Sequence, residues 1–149
     1  MVPLKLKHKP VYAIQDDYRK IDGVYKNDTD VEGISIGRAQ WANTDDFIAS
    51  AKVWRRKNDR WSRQSEETTL TRALDLAALV IKVAGAVERD KNPEPIITLQ
   101  GTISIDDVCP SAGIKDELIK YFRRTDVRSD IKAHIDLLSD AIEEYKKQI

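Results

Sequence analysis

The hydrophobic period of the chain changes at Leu70, and this change limits the folds that are open to it. Before that residue, β-rich runs alternate with turn-forming residues, which is the pattern of an antiparallel sheet. Beyond it, small and aliphatic residues recur at helical spacing, at Leu74, Ala77, Ala78, Ile81 and Ala84. Because this helix is apolar on nearly all sides, we expect it at the centre of the fold. The sequence therefore predicts an α+β domain in which an antiparallel β-sheet packs on a central apolar helix, followed by a C-terminal helical element.

Four strands are predicted before the central helix. They cover residues 4–14, 33–41, 47–57 and 60–67. The stretch between the first two is dense in Asp, Asn and Gly, so we expect a long loop there. A further β-rich segment, residues 96–105, contains Gln100-Gly101, which predicts a tight hairpin turn or a bulge.

Two helices are predicted after that segment. The first covers residues 114–124, and Thr71 is expected to cap the central helix that precedes it. The last helix carries a narrow apolar stripe at 4-3 spacing, formed by Ile131, Ile135, Leu138, Ile142, Tyr145 and Ile149. A stripe this narrow is typical of a seam against one partner helix. The partner is either helix 114–124, joined by the short link TDVRSD, or the same helix of a second subunit.

The size and charge of the chain exclude several classes of protein. Its 149 residues suit a single domain, residues 1–149. Its 25 basic and 25 acidic residues cancel, so the whole molecule is not a basic nucleic-acid binder. The first ten residues lack the apolar core of a secretory signal, and the longest apolar-rich run, residues 73–87, is too short to span a bilayer. With one cysteine and no possible intramolecular disulfide, we expect a cytoplasmic protein without a membrane partner.

A basic and aromatic hairpin, residues 51–67 (AKVWRRKNDRWSRQSEE), is the most distinctive segment. Asn58 and Asp59 both tolerate left-handed backbone angles, which predicts a two-residue turn. The pairing that follows places Arg56 opposite Trp61, Trp54 opposite Arg63, and Lys52 opposite Ser65.

The two faces of this hairpin differ in charge. One face carries Ile48, Lys52, Trp54, Arg56, Trp61 and Arg63, and the other carries Phe47, Ala49, Ala51 and Val53. Burying unpaired Lys and Arg costs several kcal/mol for each charge, so we expect the second face to be the core. The first face has three interpretations: a self-contained Arg/Trp ladder, a surface for a protein partner or a second copy, and a stacking platform for single-stranded nucleic acid.

A weaker candidate site is the corner where the predicted strand 60–67 leads into the central helix. Arg63 and Arg72, with Ser65 and Glu67 beside them, would clamp a carboxylate or phosphate there, and the alternative is a structural salt bridge of Arg with Glu66 or Glu67. Adjacent acids such as Glu66-Glu67 are expected to be solvated, since neighbours on a strand point to opposite faces. The chain has no phosphate-loop or nucleophile-elbow motif, and its two histidines and one cysteine are too few for a structural zinc site. We therefore predict no metal and no cofactor.

Four segments, SIGRAQW, AKVWR, WSRQSEE and TRALDLAALV, resemble a small bacterial family known as a domain of unknown function. The resemblance covers residues 7–83, about half of the chain, and WSRQSEE is its most recognisable element. It implies a bacterial cytosolic protein and carries no activity, cofactor or site.

The function favoured by these patterns is a non-catalytic binding or interaction module that self-associates. The candidate binding residues are Lys52, Trp54, Arg56, Trp61, Arg63 and Arg72. Two alternatives stay open. One is single-stranded nucleic-acid binding through the face that carries Trp54 and Trp61, and the other is a small anion-binding enzyme that uses the corner of Arg63 and Arg72.

Overall fold

The computed structural model describes residues 1–43, 47–62, 66–99, 101–110 and 112–149. The chain forms two compact units, Met1–Leu76 and Ala77–Ile149. The described residues form antiparallel sheets and three α-helices, so the predicted α+β class and the C-terminal helix are confirmed. The single domain and the packing of the sheet on the central helix stay predictions.

The first unit is built on a five-stranded antiparallel sheet. Its strands are β1 (Lys9–Ile14), β2 (Val31–Arg38), β3 (Ala49–Lys57), β4 (Arg60–Trp61) and β5 (Glu66–Thr69). β2 pairs with β1 and β3, and β3 pairs in turn with both β4 and β5. The first strand therefore begins five residues later than predicted, and the predicted loop after it contains two short 3-10 helices, Asp16–Lys20 and Gly23–Tyr25.

The turn between β3 and β4 forms as predicted. Asn58 and Asp59 have φ angles of 53° and 60°, which is the left-handed geometry of a two-residue hairpin turn. Arg56 lies opposite Trp61 on the two strands. The predicted register is therefore confirmed next to the turn.

The register changes further along the hairpin. Lys52 lies opposite Glu67, so the predicted pairing of Lys52 with Ser65 is wrong. The register of β5 on β3 is shifted by two residues relative to that of β4 on β3. Glu67 therefore lies opposite Lys52, where Ser65 was predicted. The predicted pair of Trp54 with Arg63 lies outside the described residues.

The chain before β2 lies close against this strand at two glycines. A Cβ on Gly33 would lie 2.6 Å from the Ile14 carbonyl oxygen, and a Cβ on Gly37 would collide with the Lys9 carbonyl oxygen. A side chain at either position would push the two strands apart. Val2 Cγ1 would also lie 2.9 Å from a Cβ on Gly33, and His8 is hydrogen-bonded to Ser35 and Ser50. The N-terminal segment therefore lies over one face of the sheet, with His8 fully buried.

The covering segment reverses the predicted faces of β3. Trp54, on the face expected to be exposed, is only 3% exposed, and Ser50 on the same face is fully buried. On the face expected to be the core, Ala51 and Val53 are partly buried, and Tyr12 in the same row of side chains is 77% exposed. The prediction is wrong because the N-terminal segment, far away in sequence, covers the aromatic face.

The second unit contains most of α1 together with a small hairpin and two further helices. Its elements are α1 (Leu70–Arg89), β6 (Ile96–Thr98), β7 (Gly101–Ile103), α2 (Ala112–Arg123) and α3 (Thr125–Gln148). β6 pairs antiparallel with β7, so the β-rich segment forms a hairpin. Gly101, predicted in the turn, lies in β7 opposite Thr98, and Gln100 lies outside the described residues. The cap of α1 is Thr69 and not the predicted Thr71, because the Arg72 backbone N–H donates to Thr69 Oγ1 at 3.4 Å.

A single residue, Arg124, joins α2 to α3. The predicted link TDVRSD is therefore wrong, since residues 125–130 already form the first turns of α3. Arg128 in these turns donates to both carboxylate oxygens of Glu88 in α1, at 2.7 and 2.8 Å. The start of α3 is thus anchored to the end of α1.

Candidate functional site

Four of the predicted site residues come together on the β3–β4 hairpin. The Trp54 and Trp61 rings lie edge to face with their centroids 5.7 Å apart. Lys52 Nζ lies 4.4 Å from the Trp54 ring centroid, and the Arg56 guanidinium lies 5.6 Å from that of Trp61. At these cation–π distances the four side chains cover one another as a ladder.

The predicted anion corner is not assembled by the residues that the structure describes. Arg63 and Ser65 lie outside the described ranges. Arg72 is exposed in the first turn of α1, whereas the Glu67 side chain is fully buried within the first unit. Of the two described members of the corner, Arg72 is exposed to solvent and Glu67 is buried, so they do not form one site.

Trp54 does not offer an open ring for stacking. The ring is buried, and its centroid lies 5.6 Å from that of the His8 ring and 5.7 Å from that of Trp61. A nucleic-acid base stacks on an aromatic ring whose face is exposed. The nucleic-acid alternative therefore depends on Trp61, which is partly exposed.

A buried polar network lies beneath the N-terminal segment. It consists of His8, Ser35, Ser50, Trp54 and Glu67, which we call the His8 cluster. His8 Nδ1 lies 2.8 Å from Glu67 Oε1, and His8 Nε2 lies 3.1 Å from Ser35 Oγ. Trp54 Nε1 donates to the same Ser35 oxygen at 2.8 Å. The network joins β2, β3 and β5 to the residue that precedes β1.

One carboxylate oxygen of Glu67, Oε1, accepts three hydrogen bonds. Oε1 accepts from Ser50 Oγ at 2.6 Å, from the Gln40 backbone N–H at 2.9 Å, and from His8. When His8 Nδ1–H donates to Glu67, Nε2 accepts the hydroxyl proton of Ser35. The second oxygen, Oε2, is buried and has no hydrogen-bond partner among the described residues.

These donors keep Glu67 in its ionised form. Burial, the largest single influence, would raise the pKa of this carboxyl, because a buried charge loses its hydration. The hydrogen bonds from Ser50, Gln40 and His8 together outweigh burial, so the pKa of Glu67 lies below its ordinary value of 4.5. Removing a donor would leave the buried charge less well compensated, which is costly.

The lowered pKa of Glu67 predicts that the His8 cluster loses stability in acid. A carboxyl with a lower pKa in the folded than in the unfolded chain contributes stability above the unfolded pKa, near 4.5, and this contribution disappears as the pH falls through the folded value. In urea unfolding, we expect the advantage of the wild type over Glu67→Gln to be smaller in acid than at neutral pH. An advantage that is independent of pH would contradict an ionised Glu67.

The order Ser35–His8–Glu67 matches the connectivity of a serine hydrolase relay, but its surroundings do not suit catalysis. Ser35 Oγ already accepts the N–H of Trp54, and both Ser35 and His8 are buried. A nucleophile has to reach its substrate. The arrangement fastens the N-terminal segment to the sheet.

The His8 cluster was not predicted from the sequence. Glu66 and Glu67 were both expected to be solvated, which is wrong for Glu67, while Glu66 binds Arg55 at a partly exposed position. The available signal was a row of small residues on one face of β2, formed by Gly33, Ser35 and Gly37. Such a row leaves room for another segment to pack on this face, but it does not identify that segment.

A second candidate surface is the outer end of α3. Along the predicted stripe, Ile131, Ile135 and Leu138 are partly buried. The remaining three residues, which we call the outer stripe, are Ile142, Tyr145 and Ile149, and they are 42%, 63% and 83% exposed. The stripe is therefore covered at the anchored end of the helix and open to solvent at the other end.

The described residues contain neither a cluster suited to a metal ion nor a helix suited to a membrane. No three His, Cys, Asp or Glu residues of the described part lie together in a way that would hold a metal ion. No described helix is both long enough and apolar enough to cross a membrane.

The fold and these surfaces define an α+β protein with a closed polar cluster in its sheet and an exposed stripe on its last helix. A model of a family of unknown function, DUF6530, matches residues 1–148. The chain therefore belongs to this family, and the match extends the resemblance that was seen over residues 7–83. Searches of curated proteins and of solved structures gave no match.

Proposed function

We propose that this protein is a non-catalytic interaction module that self-associates through α3. The observation that carries the proposal is the outer stripe, where Ile142, Tyr145 and Ile149 continue the apolar stripe into solvent. Apolar side chains at 4-3 spacing form the seam of a helix pair, and their exposure to water is unfavourable. A second copy of α3 would cover them.

The first unit supports the non-catalytic part of the proposal. The His8 cluster is buried and therefore closed to substrates. In the ladder of Lys52, Trp54, Arg56 and Trp61, the cations contact the aromatic rings of the ladder itself. A bacterial cytoplasmic location also belongs to the proposal. It is supported by the single cysteine and by the resemblance described above.

Ile142→Asp tests the proposal directly. We expect the wild-type chain to form a dimer whose fraction rises with concentration in sedimentation experiments. The variant should stay monomeric at the same concentrations, because an unpaired charge in an apolar seam costs several kcal/mol. Since Ile142 is exposed, the circular dichroism spectrum of the variant should resemble that of the wild type. Its thermal unfolding should match that of the wild type at concentrations too low for dimerisation.

Ala133→Asp is the matched control for this change. Ala133 is exposed on the same helix, and it lies nine residues before Ile142, which places it on the opposite side of the helix at 100° per residue. It adds the same charge away from the outer stripe, so this variant should dimerise like the wild type. A wild-type chain that stays monomeric at every concentration would refute the proposed function.

A further inference from the structure

We infer that two copies pair through the outer halves of α3 in antiparallel orientation, an inference that rests on the proposed self-association. In this arrangement Leu138 of one copy packs against Ile149 of the other, and Ile142 packs against Tyr145. Each contact occurs twice, because the same patch serves both copies in a two-fold pair. The seam keeps the 4-3 spacing and extends the stripe that is already partly covered within each chain.

The position of the outer stripe on α3 favours the antiparallel orientation. The first turns of the helix are anchored to α1 by the pair of Arg128 with Glu88, and Val127 in these turns is buried. In a parallel pair, the anchored first turns of α3 in the two copies would lie side by side. The elements packed against each of them would then collide at the seam. In an antiparallel pair the anchored ends lie at opposite ends of the overlap, so that only the exposed halves meet.

The order of charges along α3 favours the same orientation. Four acids come first and two lysines follow, at Asp136, Asp140, Glu143, Glu144, Lys146 and Lys147. A parallel pair would set acids level with acids and lysines level with lysines. An antiparallel pair sets Lys146 and Lys147 of one copy level with Asp140 of the other, and it places the two helix dipoles in the favourable antiparallel arrangement. Glu143 and Glu144 lie level with acids of the partner in both orientations, so the lysines and Asp140 make the difference. Because the acids lie off the stripe, they act at a distance and select the orientation, whereas the apolar contacts supply the binding energy.

Cross-linking between two single-cysteine chains tests the orientation. In a Cys109→Ser background, Leu138→Cys and Ile149→Cys are made as separate variants. The two positions are eleven residues apart, or about 16 Å along the helix, which is beyond the reach of a disulfide. For an antiparallel pair, we expect oxidation to give a covalent dimer in the mixture of the two variants and little in either variant alone.

The other results would overturn the inference in distinguishable ways. Covalent dimers of each variant alone, with no gain on mixing, would show a parallel pair and leave the proposed self-association standing. A wild-type dimer that gives no cross-link in any sample would place the interface elsewhere on the chain. A wild-type monomer in sedimentation would refute the orientation and the proposed function together, and would leave the outer stripe to another partner.

A second pair of positions guards against a loss of dimer caused by the substitutions. Ser139→Cys and Lys146→Cys flank the stripe without belonging to it, and they lie on one side of the helix, seven residues apart. In the antiparallel pair they face each other across the seam, so their mixture should cross-link as well. Failure of this mixture to cross-link, with the dimer intact in sedimentation, would overturn the inference.

Discussion

Replacing Glu67 with alanine is expected to lower the free energy of unfolding by about 3–5 kcal/mol, because the buried donors of the His8 cluster lose the acceptor that they share. The change leaves the Ser50 hydroxyl, the Gln40 N–H and His8 without their common acceptor. Ser50 and His8 are buried, and each buried donor without a partner costs roughly 1–3 kcal/mol. Chemical denaturation followed by tryptophan fluorescence measures the loss, since Trp54 belongs to the same cluster.

Glu66→Ala is the matched control, because the two glutamates are neighbours on β5. Glu66 binds Arg55 at a partly exposed position, so we expect its loss to cost about 1 kcal/mol or less. Glu67→Gln keeps the volume and removes the charge, and its effect should fall between the two. Equal effects of the two alanine variants would show that the His8 cluster does not hold the sheet together.

Gly37→Ala is the second change with a large expected effect, about 3 kcal/mol of destabilisation. The added Cβ would collide with the Lys9 carbonyl oxygen and lie 2.7 Å from Pro10 Cα. These are backbone atoms of β1, so relief requires the strand itself to move away from β2. Urea unfolding measures the loss.

Gly85→Ala should change stability in the opposite direction. Gly85 lies inside α1, and the nearest atom to its added Cβ is Arg89 Nη1 at 3.1 Å, the end of a flexible side chain. Alanine favours a helix over glycine by about 0.5–1 kcal/mol, so this variant should be more stable than the wild type. Equal losses for both variants would show that the position of the glycine in the fold does not decide its effect.

The parts of the fold that the sequence predicts are those set by neighbouring residues. Asn58 and Asp59 specify their turn through their own backbone preferences, and Arg56 then falls opposite Trp61. The last helix follows from the spacing of its apolar side chains, which needs no information from the rest of the chain. The change of period at Leu70 likewise gives the α+β class, and it places the start of α1 to within two residues, since the cap is Thr69 and not Thr71.

The parts that the sequence does not predict depend on contacts between distant residues. The covered face of β3 is decided by the N-terminal segment, and no local pattern brings His8 to Ser50. The register at Lys52 depends on how the chain runs between β4 and β5. The same holds for the candidate site. The ladder around Trp54 is predicted from the strand itself, whereas the burial of Trp54 depends on the distant N-terminal segment.

The contact between His8 and Glu67 also sets an order of events during synthesis. The two residues are 59 positions apart, and a ribosome adds roughly 5–20 residues each second. Several seconds therefore pass between the synthesis of His8 and that of Glu67. During this time the surface of Trp54 that His8 later covers is exposed to solvent. His8 is made before Glu67 but is fixed in place only after it, so a chaperone acting at the ribosome would have access to this segment during that interval.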